Sequence, residues 1–134
     1  VGALATGLAQ RALTEAIEYS KVRVQFGKPI CANQAIQFML ADMQIQVESA
    51  RQVVYHTAEL MDAGEPYSIY SAMSKVIGSD TAMKVATDAL QIHGGYGYMK
   101  EYPMEKLMRD AKILQIYEGT NQVQRMVIAN NLLK

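Results

Sequence analysis

Glu118 stands between Ile116-Tyr117 and Gly119-Thr120, close to the C-terminal end of the sequence. A carboxylate set among apolar side chains and a glycine has its charged form disfavoured once water is excluded. Its pKa then rises, which is the condition a general base needs to work near neutral pH. The same surroundings also suit a helix-boundary glutamate open to water, and the neighbours alone do not decide between the two. A second group is cationic: Arg23 with Lys21 and Lys28, followed by Phe26. Cations at the end of a helix favourably meet its dipole. The alternative is a diphosphate clamp, for which a planar guanidinium is well suited, with Phe26 offering an apolar face to a ring. Gly94-Gly95-Tyr96-Gly97 could suggest a phosphate cradle. However, a dinucleotide fingerprint needs a strand before it, whereas a helix precedes this run, so a helix stop and turn is expected. His56 and His93 lie far apart and neither belongs to a Glu-x-x-His pair, so no metal site is expected. Cys31 is the only cysteine and has no base nearby.

These residues are positioned by helices. From Ala35 to Asp62, Ile36, Met39, Met43, Val47, Ala50, Val54, Ala58 and Met61 recur at spacings of three and four, the stripe of a long amphipathic helix. Gly64 and Pro66 end it, and Pro66 is placed for the first turn of a third helix over about 66–92. The inward row of that helix reads Ile69, Met73, Val76, Met83 and Leu90, with Gly78, Ser79 and Ala82 allowing a neighbour to come close. Asp80 interrupts the row and must find a partner, expected to be an Arg or a backbone amide. A first helix spans about 1–24, a short one about 103–111 opened by Pro103, and a last one about 120–133 capped by Thr120. No stretch alternates long enough for a strand. The expected fold is all-α, a four-helix bundle.

Composition sets outer limits. The 134 residues are 50% apolar, enough for one domain with one core. The 13 basic and 13 acidic residues balance and are interspersed, so no nucleic-acid partner is expected. No apolar run approaches the roughly 18 residues of a membrane span. The nine methionines suit soft core filling. The sequence begins in helical wording without an initiating methionine, as a piece of a longer protein would.

Four segments carry a resemblance: Arg23-Val-Gln-Phe-Gly-Lys-Pro-Ile30, Gln91-Ile-His-Gly-Gly-Tyr-Gly97, Glu101-Tyr-Pro-Met-Glu-Lys-Leu-Met-Arg-Asp-Ala-Lys112 and Ile116-Tyr-Glu-Gly-Thr-Asn-Gln122. In order and spacing, over essentially the whole chain, they resemble the C-terminal domain of the acyl-CoA dehydrogenases, and the wording is closest to the bacterial short-chain, butyryl-CoA branch. The resemblance implies that residues 1–134 are one C-terminal helical-bundle domain, with an N-terminal helical domain and a middle β domain of the parent lying outside this chain.

It further implies a FAD-dependent α,β-dehydrogenation of an acyl-CoA to a trans-2-enoyl-CoA. Glu118 would be the base for the α-proton while the β-hydrogen leaves as hydride to the flavin. Gly119 would lie against the substrate. Thr120, Asn121 and Gln122 match flavin-contacting positions. Arg23, Val24, Gln25, Phe26, Asn33, Gln34, Gln91, Ile92, His93, Gly94 and Gly95 match positions that hold the ADP half of an FAD bound mainly by a neighbouring subunit. A homodimer or homotetramer, an electron-transfer flavoprotein as acceptor, and a bacterial cytoplasm or mitochondrial matrix follow as expectations. The resemblance leaves open an acyl-CoA oxidase-like branch. It also leaves open a fragment that acts only in oligomerisation and cofactor docking and is inactive by itself.

Overall fold

The computed structural model describes residues 1–134 and is almost wholly helical. Helix α1 is Gly2–Val22, α2 Gln34–Asp62, α3 Ser68–His93, α4 Gly95–Tyr98, α5 Met104–Leu114 and α6 Asn121–Leu132. The long helices α1, α2 and α3 pack together, α5 adds Met104, Ala111 and Leu114 to their core, α6 lies against α3, and α3 touches every other α-helix of the chain. Its central place explains its composition. Most of its buried residues are small, Ala72, Ser74, Gly78, Ser79, Ala82, Ala86 and Ala89 among them, as a helix packed on several sides favours.

This corrects the expected inward row. Ile69, Met73, Val76, Met83 and Leu90 are only partly buried, and the small residues hold the centre. The expected close approach at Gly78, Ser79 and Ala82 is present. A Cβ built on Gly78 would meet the Gly2 carbonyl oxygen at 3.0 Å, and one on Gly2 would meet the Ser74 carbonyl oxygen at 2.9 Å. Facing α3, α1 presents Ala5, Ala9, Ala12 and Ala16, with Leu13 as its one large fully buried side chain. Burying a leucine of this kind contributes about 1.5–3 kcal/mol.

On α2 the predicted stripe holds through Met43, Val47 and Ala50, which are buried. Beyond that the inward position passes to Thr57, while Ala58 and Met61 are exposed. Over a helix of this length a stripe spaced by three and four drifts around the axis and off its partner. The Thr57 hydroxyl donates to the Val53 carbonyl at 2.7 Å. Pro66 lies in the connection and α3 begins two residues later, at Ser68. Pro103 stands one residue before α5, as its N-cap.

A short antiparallel ladder, β1 (Val24–Gln25) against β2 (Lys28–Pro29), was not legible from periodicity. Phe26 and Gly27 turn it with φ of 51° and 78°, both left-handed as a two-residue hairpin whose twist matches its strands requires. At the other end of the bundle, α3 stops as anticipated at Gly94, whose φ of 60° and ψ of −137° suit glycine. No helix of the chain is long and apolar enough to cross a membrane.

Candidate functional site

The expected site residues fall into two groups, both resting on α3. The first gathers where α1 ends and α3 stops. Arg23, Gln25, Ile92, His93, Gly94 and Gly95 line a cavity of about 560 Å³ together with Tyr19 and Tyr96. The Arg23 guanidinium lies over the Tyr96 ring, 5.2 Å from its centre, a favourable cation–π placement. No carboxylate pairs with it, whereas its neighbour Lys21 is tied to Glu18 at 2.8 Å. One basic residue at this helix end is therefore committed locally, and the other faces the cavity with its charge unmatched.

His93 forms part of the cavity wall and is only 4% exposed. Its ring stacks on Tyr19 with centres 4.2 Å apart. Nδ1 lies 2.8 Å from the Ala89 carbonyl oxygen. Since a carbonyl only accepts, Nδ1 carries the proton and Nε2 the lone pair. Burial pushes the His93 pKa down, against smaller raising effects of the Ala89 bond and of Glu15, so the ring is held neutral. The Tyr19–His93–Tyr96–Tyr102 cluster was missed from sequence, because its members come from three separate segments.

Other members of this first set sit outside the cavity. Val24 is exposed on β1, and Phe26 is 98% exposed at the tip of the hairpin. Asn33 precedes α2 as its N-cap without a side-chain bond, and Gln34 and Gln91 are exposed.

The second group is the connection between α5 and α6. Glu118 and Gly119 form its apex in the left-handed region, with φ of 56° and 82°. A left-handed glutamate costs roughly 1–2 kcal/mol relative to ordinary backbone, so the surrounding bonds must hold it. Three of them do so directly. The Asn121 amide donates to the Gln115 carbonyl at 3.0 Å, the Gln124 side chain donates to the Glu118 carbonyl at 3.0 Å, and the Val123 amide donates to the Thr120 hydroxyl at 3.2 Å. The last is the helix cap anticipated from sequence. By contrast, the amides of Glu118, Gly119, Thr120 and Gln122 donate to no group of the chain. The Glu118 carboxylate has no ion-pair partner.

The apolar enclosure expected around Glu118 is not supplied by its neighbours. Ile116 is 48% and Tyr117 38% exposed, and Glu118 and Gly119 lie open beside them. Thr120, Asn121 and Gln122 line a polar cavity of about 530 Å³ with Asp80, Gln115 and Arg125. Asn121 is the buried member of this second group, only 3% exposed. Its side-chain oxygen accepts from Lys75 Nζ at 2.7 Å. Its side-chain nitrogen donates to Ser79 at 2.9 Å and to Asp80 at 2.8 Å. Asp80 finds the arginine expected of it in Arg125, at 3.2 Å. Lys75, 5% exposed, was overlooked. Its signal was a lone lysine among the small and apolar residues 72–78 of α3.

Both groups thus line one helix. Asp80 and Ile92 are separated by about 18 Å along α3 at 1.5 Å per residue. No group of three His, Cys, Asp or Glu side chains is placed to hold a metal ion.

Comparison with known proteins supplies the relationship. The model of the acyl-CoA dehydrogenase C-terminal domain matches residues 1–133. An acyl-CoA dehydrogenase of Bacillus subtilis is 54% identical over 133 residues, which are 99% of this chain and 35% of that protein. The structure of butyryl-CoA dehydrogenase from Megasphaera elsdenii superposes with a TM-score of 0.98 at 55% identity, over 99% of this chain and 35% of the other. A chain in the structure of the electron transferring flavoprotein of Acidaminococcus fermentans, on flavin-based electron bifurcation, gives 0.97 at 56% identity, again over 99% and 35%. The chain therefore spans about a third of the length of the proteins it matches. With the family model covering nearly every residue, the chain belongs to the acyl-CoA dehydrogenase family, to its C-terminal domain.

Proposed function

We propose that this chain is the C-terminal part of a FAD-dependent acyl-CoA dehydrogenase acting on a short, straight-chain acyl-CoA, with Glu118 as the base that removes the α-proton. The observation that carries this reading is the Glu118–Gly119 turn. A glutamate is held left-handed, and both its carboxylate and its own amide are without partners in the chain. Strain of this kind at a polar residue points towards function.

The two halves of that residue do complementary work. An α-proton of a thioester is too weakly acidic for a solvated carboxylate. The base must be desolvated and the developing enolate oxygen must be stabilised together. The free Glu118 amide is a donor suited to the thioester oxygen, and the Glu118 carboxylate takes the proton. Gly119 has no side chain, which lets the acyl group approach the backbone. Since Ile116 and Tyr117 are themselves open, substrate, cofactor and the rest of the parent protein would exclude water from the carboxylate.

The residues present suit FAD. Arg23 offers an unmatched guanidinium over Tyr96 at the first cavity, fitting a diphosphate. Thr120 and the free Gln122 amide at the start of α6 offer polar contacts to the isoalloxazine end. When bound, FAD supplies the two-electron acceptor for the hydride. The family relationship supports a shared arrangement in a homodimer or homotetramer, in which Arg23, Gln25, Gly94 and Gly95 serve a neighbouring subunit's ADP moiety. The high likeness to the butyryl-CoA enzyme supports the short acyl group. The likeness to a chain in the electron transferring flavoprotein structure supports such a flavoprotein as electron acceptor.

The test is Glu118→Gln in the full-length parent. FAD and acyl-CoA binding should persist while dehydrogenation falls by about 10³-fold or more, as loss of an essential general base demands. Near-normal turnover by that variant would remove Glu118 from the role of base.

A further inference from the structure

Asp80 lies on α3, in the row expected to be inward, and has no part in the proposed chemistry. Yet its Oδ1 accepts from the Gln115 side chain at 2.7 Å and from the Asn121 side chain at 2.8 Å. Those two residues are the two ends of the Glu118 connection. They are also joined directly through the Asn121 amide and the Gln115 carbonyl, 3.0 Å apart. One carboxylate oxygen on the central helix thus gathers both feet of the loop.

Further bonds keep that carboxylate and its guests in place. Lys75, five residues before Asp80 on α3, reaches the Asn121 oxygen at 2.7 Å. The Asn121 nitrogen also donates to Ser79 at 2.9 Å. Arg125 bridges Asp80 Oδ2 at 3.2 Å and the Asn121 carbonyl at 3.1 Å. Asn121 therefore has its side chain, amide and carbonyl all engaged within the fold. Those bonds make it a support of the loop.

From this geometry we infer that Asp80, with Lys75 and Asn121, is a positioning residue that moors both ends of the Glu118–Gly119 turn to α3. The active conformation is thereby set by the bundle core. The physical need is clear. A left-handed glutamate relaxes to ordinary backbone unless its flanks are fixed, and a displacement of the order of 1 Å at a reacting group costs about 10²-fold in rate. Hydrogen bonds to an ionised acceptor, at these lengths, are the stronger kind. The functional consequence rests on the reading of Glu118 as base. The mooring itself does not, and the test separates the two.

The experiment compares Asp80→Leu and Asp80→Asn in the full-length enzyme, by amide hydrogen exchange and steady-state kinetics. Leucine approximates the shape and removes the acceptor, whereas the asparagine oxygen still accepts from Gln115 and Asn121. Asp80→Leu should speed exchange at the Tyr117 and Asn121 amides by about tenfold or more, with residues 127–129 of α6 within about twofold. It should also lower kcat by about 10- to 100-fold while KM stays within about threefold. Asp80→Asn should recover most of both losses.

Unchanged loop exchange in Asp80→Leu would overturn the inference. So would faster exchange spread evenly along α6, which would mean that Asp80 only docks that helix, or a failure of Asn to recover what Leu loses. Should Asp80→Leu not fold, Gln115→Met releases one foot from the loop side and must speed the same two amides. If Glu118→Gln keeps its turnover, the base assignment fails alone, and the exchange data still decide whether the turn is moored by Asp80.

Discussion

Replacing Gly97 by alanine should destabilise the chain, while the same change two residues earlier should not. A Cβ on Gly97 would lie 2.6 Å from the Leu90 carbonyl oxygen, 2.9 Å from the His93 Cβ and 3.2 Å from the Leu90 Cα. These are backbone and near-backbone atoms of α3, which is held from several sides, so the neighbours have nowhere to retreat. Overpacking of this kind costs about 1–3 kcal/mol, and contact with rigid backbone places it near the upper end. Alanine returns roughly 0.4–1 kcal/mol by restricting the unfolded chain. The net loss is then about 2 kcal/mol. At Gly95 nothing lies within 4 Å of the added methyl, so only the gain remains, about 0.5 kcal/mol. Urea denaturation of the two variants, read at equal slope, should separate them by roughly 2.5 kcal/mol. Agreement within about 0.5 kcal/mol, the size of an ordinary surface change, would refute the contact argument.

Arg23→Ala in the full-length parent should reduce FAD retention and weaken the dimer. Flavin content after gel filtration checks this, and unchanged content would remove the diphosphate role. Thr120→Ala removes the hydroxyl that accepts from Val123 and should cost about 1 kcal/mol locally, visible as faster exchange at the first turn of α6. His93 sets an acid limit. Its folded pKa lies below the ordinary 6.5, so the unfolded state binds more protons across that interval. Stability therefore rises with pH from the folded pKa to about 6.5 and is lowest below both values. Denaturation midpoints across pH 5–7 should show this slope, and His93→Phe should flatten it. The lowered pKa values of Glu48 and Glu105, caused chiefly by side-chain hydrogen bonds from Gln52 and from Arg109, give a separate loss that begins only below about 4.5.

What could be read in the sequence was local. Thr120 as a cap and Gly94 as a helix stop depend on bonds spanning three residues, and both stand where the residue types put them. Asp80 was legible as a polar residue in need of an arginine. That the arginine is Arg125, 45 residues away, needed the bundle. The centre of α3 was misread because periodicity weights large apolar side chains, whereas a helix crowded by its neighbours selects alanine, serine and glycine. Lys75 was passed over for a related reason: a lysine in a helix ordinarily reaches water, and only the fold reveals that this one meets Asn121 instead. The exposure of the residues beside Glu118 was not legible from their types. Ile116 and Tyr117 are apolar by type, yet a loop at the surface turns them outward.

The alanine-lined contact between α1 and α3 has a mechanical consequence. Ala5, Ala9, Ala12 and Ala16 meet Ala82, Ala86 and Ala89 in the shared core, and alanine has no side-chain torsion to freeze or to switch. Core elements relay a change when their side chains have two packed arrangements to choose between. This seam offers one. The two helices should therefore move as a single rigid strut, passing displacement along its length without absorbing it. Signals between the ends of the domain would have to travel through the polar side chains around Asp80 or through the aromatic cluster at His93.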